Sequence, residues 1–91
     1  MSEIKLKGKV IKILPIESGE SSKGSWSKQG MIVETIGEYP KQIYYEGWNA
    51  ICDTISGLTI GQNVTVYFNP ASREYKDRWY TDLKVWKIEK N

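Results

Sequence analysis

From about Glu3 to Ile16, apolar and basic residues alternate. The even positions Ile4, Leu6, Val10 and Leu14 are apolar, and Lys5, Lys7 and Lys9 occupy the odd face. A period of two predicts a half-buried strand. Beyond Val10, Ile11 and Ile13 make the odd face apolar too. That is the pattern of a curved strand passing from one sheet to another, and Gly8 is placed to supply the bend. Glu17 to Gly24 is polar and rich in Ser and Gly, which predicts a loop. A second strand follows from about Ser25 to Ile36, with Met31, Val33 and Thr35 on one side. Gly37 to Lys41, including Pro40, makes the next turn, and Gln42 to Trp48 is a third strand rich in β-formers.

The spacing then changes. Ile51, Ile55 and Leu58 recur at helical intervals, which predicts a helix over about Asn49 to Leu58, with Asn49 as N-cap and Gly57 as a left-handed end. So short a helix needs docking to persist, and its apolar stripe, Cys52 included, is expected to plug one end of the β-structure. Alternation returns after Gly61: Val64, Val66 and Phe68 on one face, Thr65 and Tyr67 on the other, with the strand extending through Pro70 as far as Tyr75. Pro70 implies a sheet edge or a bulge. Lys76-Asp77 is expected to be a two-residue turn before a fifth strand, Arg78 to Ile88. There Trp79, Thr81, Leu83 and Val85 share one face, so Trp79 is expected in the core with Tyr45 and Phe68. Trp86, on the other face, is left to cover either the helix or a subunit contact. The order β-β-β-α-β-β predicts an all-β domain, a five-stranded OB-fold Greek-key barrel with one short helix between strands three and four.

Composition narrows the chemistry. At 91 residues the chain is expected to form a single domain over residues 1–91. No apolar run exceeds three residues, as in Met31-Ile32-Val33, so no spanning helix or signal-peptide core is expected. The single Cys52 allows no internal disulfide, which fits a cytoplasmic home. With no histidine in the chain, neither the usual zinc-binding sets nor a histidine-based catalytic pair can be assembled. Asp53, Asp77 and Asp82 are scattered, no phosphate-binding Gly-Lys-Ser/Thr motif follows a strand, and neither an enzyme nor a cofactor is expected. The net charge of +2 is too mild to name a polyanionic partner by itself. The aromatics say more: four Trp and six Tyr against one Phe, many beside basic residues.

The stretch Ile43 to Lys87 resembles the second half of bacterial single-stranded-DNA-binding proteins. The landmarks are Ile43-Tyr44-Tyr45-Glu46-Gly47, the helix with Ala50 and Ile55, and Gly61-Gln62-Asn63-Val64-Thr65-Val66. Ser72-Arg73-Glu74-Tyr75 and Arg78-Trp79-Tyr80-Thr81-Asp82 complete them. The whole chain is also similar to a family of short, uncharacterised bacterial and phage domains. The resemblance implies that Tyr75 stacks on a base, that Arg73 and Arg78 meet the backbone, and that Tyr80 is the family's hairpin tyrosine. Three departures stand out. The last hairpin is reduced to Lys76-Asp77, so a long clamp is missing. At the start of strand three, near Lys41, the family's stacking tryptophan has no aromatic counterpart, so Tyr44 or Trp48 must substitute. The chain also stops at Asn91 without the acidic tail that recruits partner proteins.

Sequence-tolerant binding of single strands combines stacking platforms with cations along a groove. OB-folds bind across strands two and three, between the loops joining strands one and two and strands four and five. Ser18 to Ser27 carries Trp26 and Lys23, with Lys28 directly after it, and Arg73 to Arg78 carries Tyr75 with Arg73, Lys76 and Arg78. The expected function is binding of single-stranded DNA, with RNA as the other candidate, in replication or repair. Trp26, Tyr44, Trp48 and Tyr75 would stack bases, and Lys23, Lys28, Arg73, Lys76 and Arg78 would meet phosphates. Lys5, Lys7 and Lys9 are assigned to a solvated face or an edge guard. In the competing reading the same aromatics form an interface in a homodimer or higher homo-oligomer, without nucleic acid.

Overall fold

The computed structural model describes residues 4–91, so the predicted start at Glu3 lies outside the described residues. In chain order the elements are β1 (Lys5–Ile13), β2 (Glu17–Ser21), β3 (Gly24–Thr35), β4 (Gln42–Trp48), α1 (Ala50–Ser56), β5 (Asn63–Tyr75) and β6 (Arg78–Lys90). They form one sheet in the order β1-β5-β6-β4-β3-β2, closed by a further pairing of β1 with β3. This is the expected OB-fold barrel, with the helix where the pattern placed it and one strand more. The segment expected to be a loop, Glu17 to Gly24, instead makes a hairpin in which Glu17 to Ser21 pair with Lys28 to Gly24. Polar composition concealed it because neither face of β2 reaches the core.

Closure rests on β1. Lys5 to Lys9 pair with Tyr67 to Asn63 of β5, while Gly8 to Ile13 pair with Thr35 to Met31 of β3, with a bulge between Val10 and Lys12. The shared residues Gly8 and Lys9 mark the change of partner, which is the curved strand the two-sided pattern predicted. Since Lys9 has a strand on each side, these lysines do not all guard an edge. Lys5 and Lys7 pair with β5 alone.

Inside, Val10, Met31, Tyr45, Ile55, Val64 and Val66 are buried, with Tyr45 and Phe68 in tilted contact at 5.1 Å between centroids. Fully burying such side chains stabilises the fold by about 1.5–3 kcal/mol each. Val64 to Phe68 are buried at all five positions, against the expected alternation. The inward residues meet the core. On the outward side, Thr65 bonds Asn91, and Tyr67 contacts Trp86 at 5.3 Å between centroids. Trp86 therefore covers Tyr67 rather than the helix. A bulge lies between Tyr67 and Phe68, just before Pro70.

Helix α1 packs over β3, β4 and β6 and buries Cys52, Ile55 and the following Leu58. Two expectations about its ends fail. Asn49 has φ of +53° and makes no side-chain cap; its Oδ1 accepts from the Ser27 N–H at 3.1 Å, tying the helix to β3. Gly57 is right-handed, at φ −83°, and the left-handed residue comes later, at Gly61 with φ +92°. Docking depends on Gly47, where a Cβ would collide with Ile51 and lie 2.6 Å from Ile55 Cδ1. Among the described residues, no helix is long and apolar enough to cross a membrane.

The largest departure concerns the β5–β6 hairpin. Lys76 and Asp77 form the two-residue turn, both with positive φ (51° and 63°) as a type I′ turn needs. The arms continue well past the barrel: Pro70 to Tyr75 pair only with Leu83 to Arg78, whereas β4 joins β6 at Lys84 and Val85. A short turn thus crowns a long two-stranded ribbon: the turn is reduced to two residues as expected, but the hairpin that carries it is not short. Trp79 does share a face with Leu83 and Val85. The barrel has ended at its level, however, and it is 70% exposed instead of being core.

Two measurements check this packing. Gly47→Ala should cost about 1–3 kcal/mol in chemical denaturation, because the added methyl overpacks the helix contact. Burial pushes the Tyr45 phenol up to about 12 from an ordinary 10. The folded chain then keeps a proton that the unfolded chain releases, so stability is whole below about pH 10 and declines as pH rises towards 12. Denaturation midpoints should drop across that interval, and Tyr45→Phe should flatten the drop.

Candidate nucleic-acid interface

On β3 the inward positions Gln29, Met31 and Val33 are buried, so Trp26, Lys28, Gly30 and Ile32 face outward. On β4, Tyr45 and Gly47 are buried, and Tyr44, Glu46 and Trp48 face outward. Register sets these rows side by side, Lys28 opposite Trp48 and Ile32 opposite Tyr44. The Trp26 and Trp48 rings meet at 5.8 Å between centroids, tilted by 48°, and Lys28 Nζ stands 5.7 Å from the centre of the Trp48 ring. Tyr44 lies across Gly30, where a Cβ would come within 2.6 Å of its ring. The rings remain open to solvent, with Tyr44 49% and Trp48 37% exposed.

The same outward face continues through the parallel pairing of Glu46 with Lys84 onto β6 and the ribbon. Arg73 lies opposite Tyr80, and Tyr75 opposite Arg78. Arg73, Glu74, Tyr75 and Tyr80 line a cavity of about 340 Å³. Tyr75 is 60% exposed, and Lys76 Nζ sits 5.3 Å from its ring centre. The predicted residues thus fall into two clusters on one face, Trp26–Lys28–Tyr44–Trp48 on the barrel and Arg73–Tyr75–Lys76–Arg78 on the ribbon. Lys23 joins neither. It occupies the β2–β3 turn, where its N–H donates to Ser21 Oγ.

Sequence reading missed the acidic residues of this face. Glu17 Oε2 lies 3.5 Å from Lys28 Nζ, Glu46 Oε1 accepts from Trp48 Nε1 at 2.7 Å, and Asp82 Oδ2 lies 3.8 Å from Arg73 Nε. The alternation in β4 already set Glu46 beside Tyr44 and Trp48, but Glu17 was hidden by the unrecognised β2. Tyr80 was named from the resemblance yet left out of the expected stacking set. The Tyr44 hydroxyl is held above its ordinary range, first by burial and then by Glu46; Lys28 opposes the shift, while Glu17 and Asp82 add to it. Among the described residues, no group of three or more His, Cys, Asp or Glu is placed to hold a metal ion.

Solved structures share this architecture. A single-stranded-DNA-binding (SSB) domain from Synechococcus sp. superposes with a TM-score of 0.70 at 14% identity, covering 98% of this chain and 94% of that one. A mitochondrial single-stranded DNA binding protein from S. cerevisiae gives 0.73 at 12% identity, with coverage of 98% and 94%. The dimeric N-terminal domain of a PriB protein from Thermoanaerobacter tencongensis gives 0.68 at 19% identity, again with 98% and 94% covered. At such identities the likeness is one of fold: this is the OB-fold found in single-stranded-DNA-binding proteins. No curated protein matches the sequence. Residues 5–89, from β1 to within one residue of the end of β6, match a described family, and the chain belongs to it: Domain of unknown function (DUF3127).

Proposed function

We propose that this protein binds single-stranded DNA with little overall sequence preference, without catalysing a reaction. One observation carries the reading: a single outward face presents half-open aromatic rings, each cluster with its own cations, from β3 and β4 onto the ribbon. Stacking is sequence-tolerant because every base has a π-face, and each stacked base contributes about 1–3 kcal/mol. Lys28, Arg73, Lys76 and Arg78 supply the salt-dependent attraction to phosphate. Solved neighbours named as single-stranded DNA binding proteins favour the same reading. The acidic residues of the face offset part of that attraction, so affinity should rest more on stacking than on charge.

Titrating a labelled oligothymidine at about 50 mM salt, while following tryptophan emission, tests the proposal. Quenching at micromolar protein is expected, and its absence would remove the idea. Tyr75→Ala should weaken binding by about 1–3 kcal/mol with little change in melting temperature, since the ribbon tip lies outside the core. A large fall in melting temperature would instead make Tyr75 structural.

A second reading rests on Trp79. It is more exposed than Tyr75 or Tyr80 and lies on the face opposite Tyr75. We infer that a second copy covers it in a homo-oligomer. Sedimentation of the native chain and of Trp79→Ala should show association that the variant loses. A monomer in both cases would dismiss the interface.

A further inference from the structure

Carboxylates on a face that attracts a polyanion call for an explanation, and Glu17 offers the clearest one. Leu14, Pro15, Glu17, Gly30 and Tyr44 line a cavity of about 300 Å³ on the β3–β4 face. Its walls are held in place. The Leu14 N–H donates to the Gly30 carbonyl at 3.0 Å, and the Leu14 carbonyl accepts from Gln29 Nε2 at 2.9 Å. Gln29 is itself buried and accepts from Ser56 Oγ through Oε1 at 2.9 Å. Gly30 leaves room for the Tyr44 ring. The cavity therefore combines a fixed aromatic surface, an apolar wall and a carboxylate.

That carboxylate has its Oε2 3.5 Å from Lys28 Nζ, and its side chain is 67% exposed. A carboxylate can only accept hydrogen bonds, so it repels a phosphate and selects a ligand edge with N–H donors. Unpaired bases differ sharply there. The Watson–Crick edge of guanine carries two adjacent donors, N1–H and the N2 amino group, which match the two carboxylate oxygens. Thymine has one N–H between two carbonyl oxygens. Cytosine and adenine each set an amino group beside a ring nitrogen lone pair.

Resting on the single-strand reading above, we propose that this cavity is a guanine subsite, with the base against Tyr44 and its Watson–Crick edge on Glu17. It adds one base preference to binding that is otherwise sequence-tolerant. The neighbourhood of Tyr44 agrees: burial first, and then Glu46, Glu17 and Asp82, oppose ionisation of its hydroxyl, while Lys28 favours it. The local field thus suits a base edge rather than a phosphate.

The test compares oligothymidines of about 12 nucleotides, a length within the usual range for one OB-fold, by fluorescence anisotropy. One strand is unmodified, one carries a central guanine, and one carries a central inosine, which keeps N1–H and lacks the amino group. Guanine should bind about tenfold tighter than thymine, with inosine between them, the size expected of one bidentate contact. Glu17→Gln should bring the guanine and thymine strands within about twofold, and oligothymidine affinity should rise, because a carboxylate that offsets the attraction of Lys28 for phosphate is removed. The exposure of Glu17 makes loss of folding unexpected, and a thermal melt of the variant checks it. Equal wild-type affinity for guanine and thymine, or a preference that survives Glu17→Gln, overturns the subsite alone. Failure of all three strands to bind overturns the single-strand reading with it.

Discussion

The structure depends on one strand dividing its hydrogen bonds between two partners. β1 gives its first half to β5 and its second half to β3, and that change closes an otherwise open sheet. Closure determines which side of every strand is inside. Met31, Tyr45, Val64 and Val66 are removed from water by it, and Trp26, Lys28, Tyr44 and Trp48 are left on the outer surface by the same alternation. The core and the candidate interface are thus two faces of the same strands. A one-residue slip of register would exchange them.

Where closure ends, the usual link between apolar character and burial ends too. The β5–β6 ribbon runs on beyond any third strand, and its residues from Pro70 to Thr81 are all exposed. What holds it is backbone pairing and small cross-strand contacts such as Ser72 with Thr81 at 3.0 Å. An isolated hairpin is marginal in water, but this one is anchored at its base by Phe68 and Val85, both buried in the barrel. A projecting ribbon with Tyr75, Tyr80 and Trp79 in solvent gives up burial energy and gains reach.

Charge on the outer face is mixed rather than uniformly basic. Glu17 pairs with Lys28, Glu46 with the Trp48 indole, and Asp82 with Arg73. These contacts orient the rings and cations that a ligand would meet. They also lower the attraction for phosphate, since exposed pairs of this kind contribute little stability of their own and screen each other's charge. Such a face favours stacking and edge recognition over simple condensation on a polyanion.

Much of this was legible in the chain. Period-two alternation and runs of β-forming residues located five of the six strands, Gln42–Trp48 to the residue, and the switch to helical spacing located α1 between the third and fourth of them. Tyr45, Phe68 and Cys52 were readable as core because their neighbours share a periodic face. β2 was not legible, since a strand with no buried side chain leaves no apolar signature. Neither was the fate of Trp79, because alternation tells which face a side chain is on and not whether anything stands opposite. Only the tertiary structure decided that the barrel stops short of the ribbon, that Glu17 and Tyr44 line one cavity with Gly30, and that two aromatic and basic clusters far apart in sequence share one surface. Local pattern is written in neighbours along the chain, whereas closure and register bring together residues that no short-range period connects.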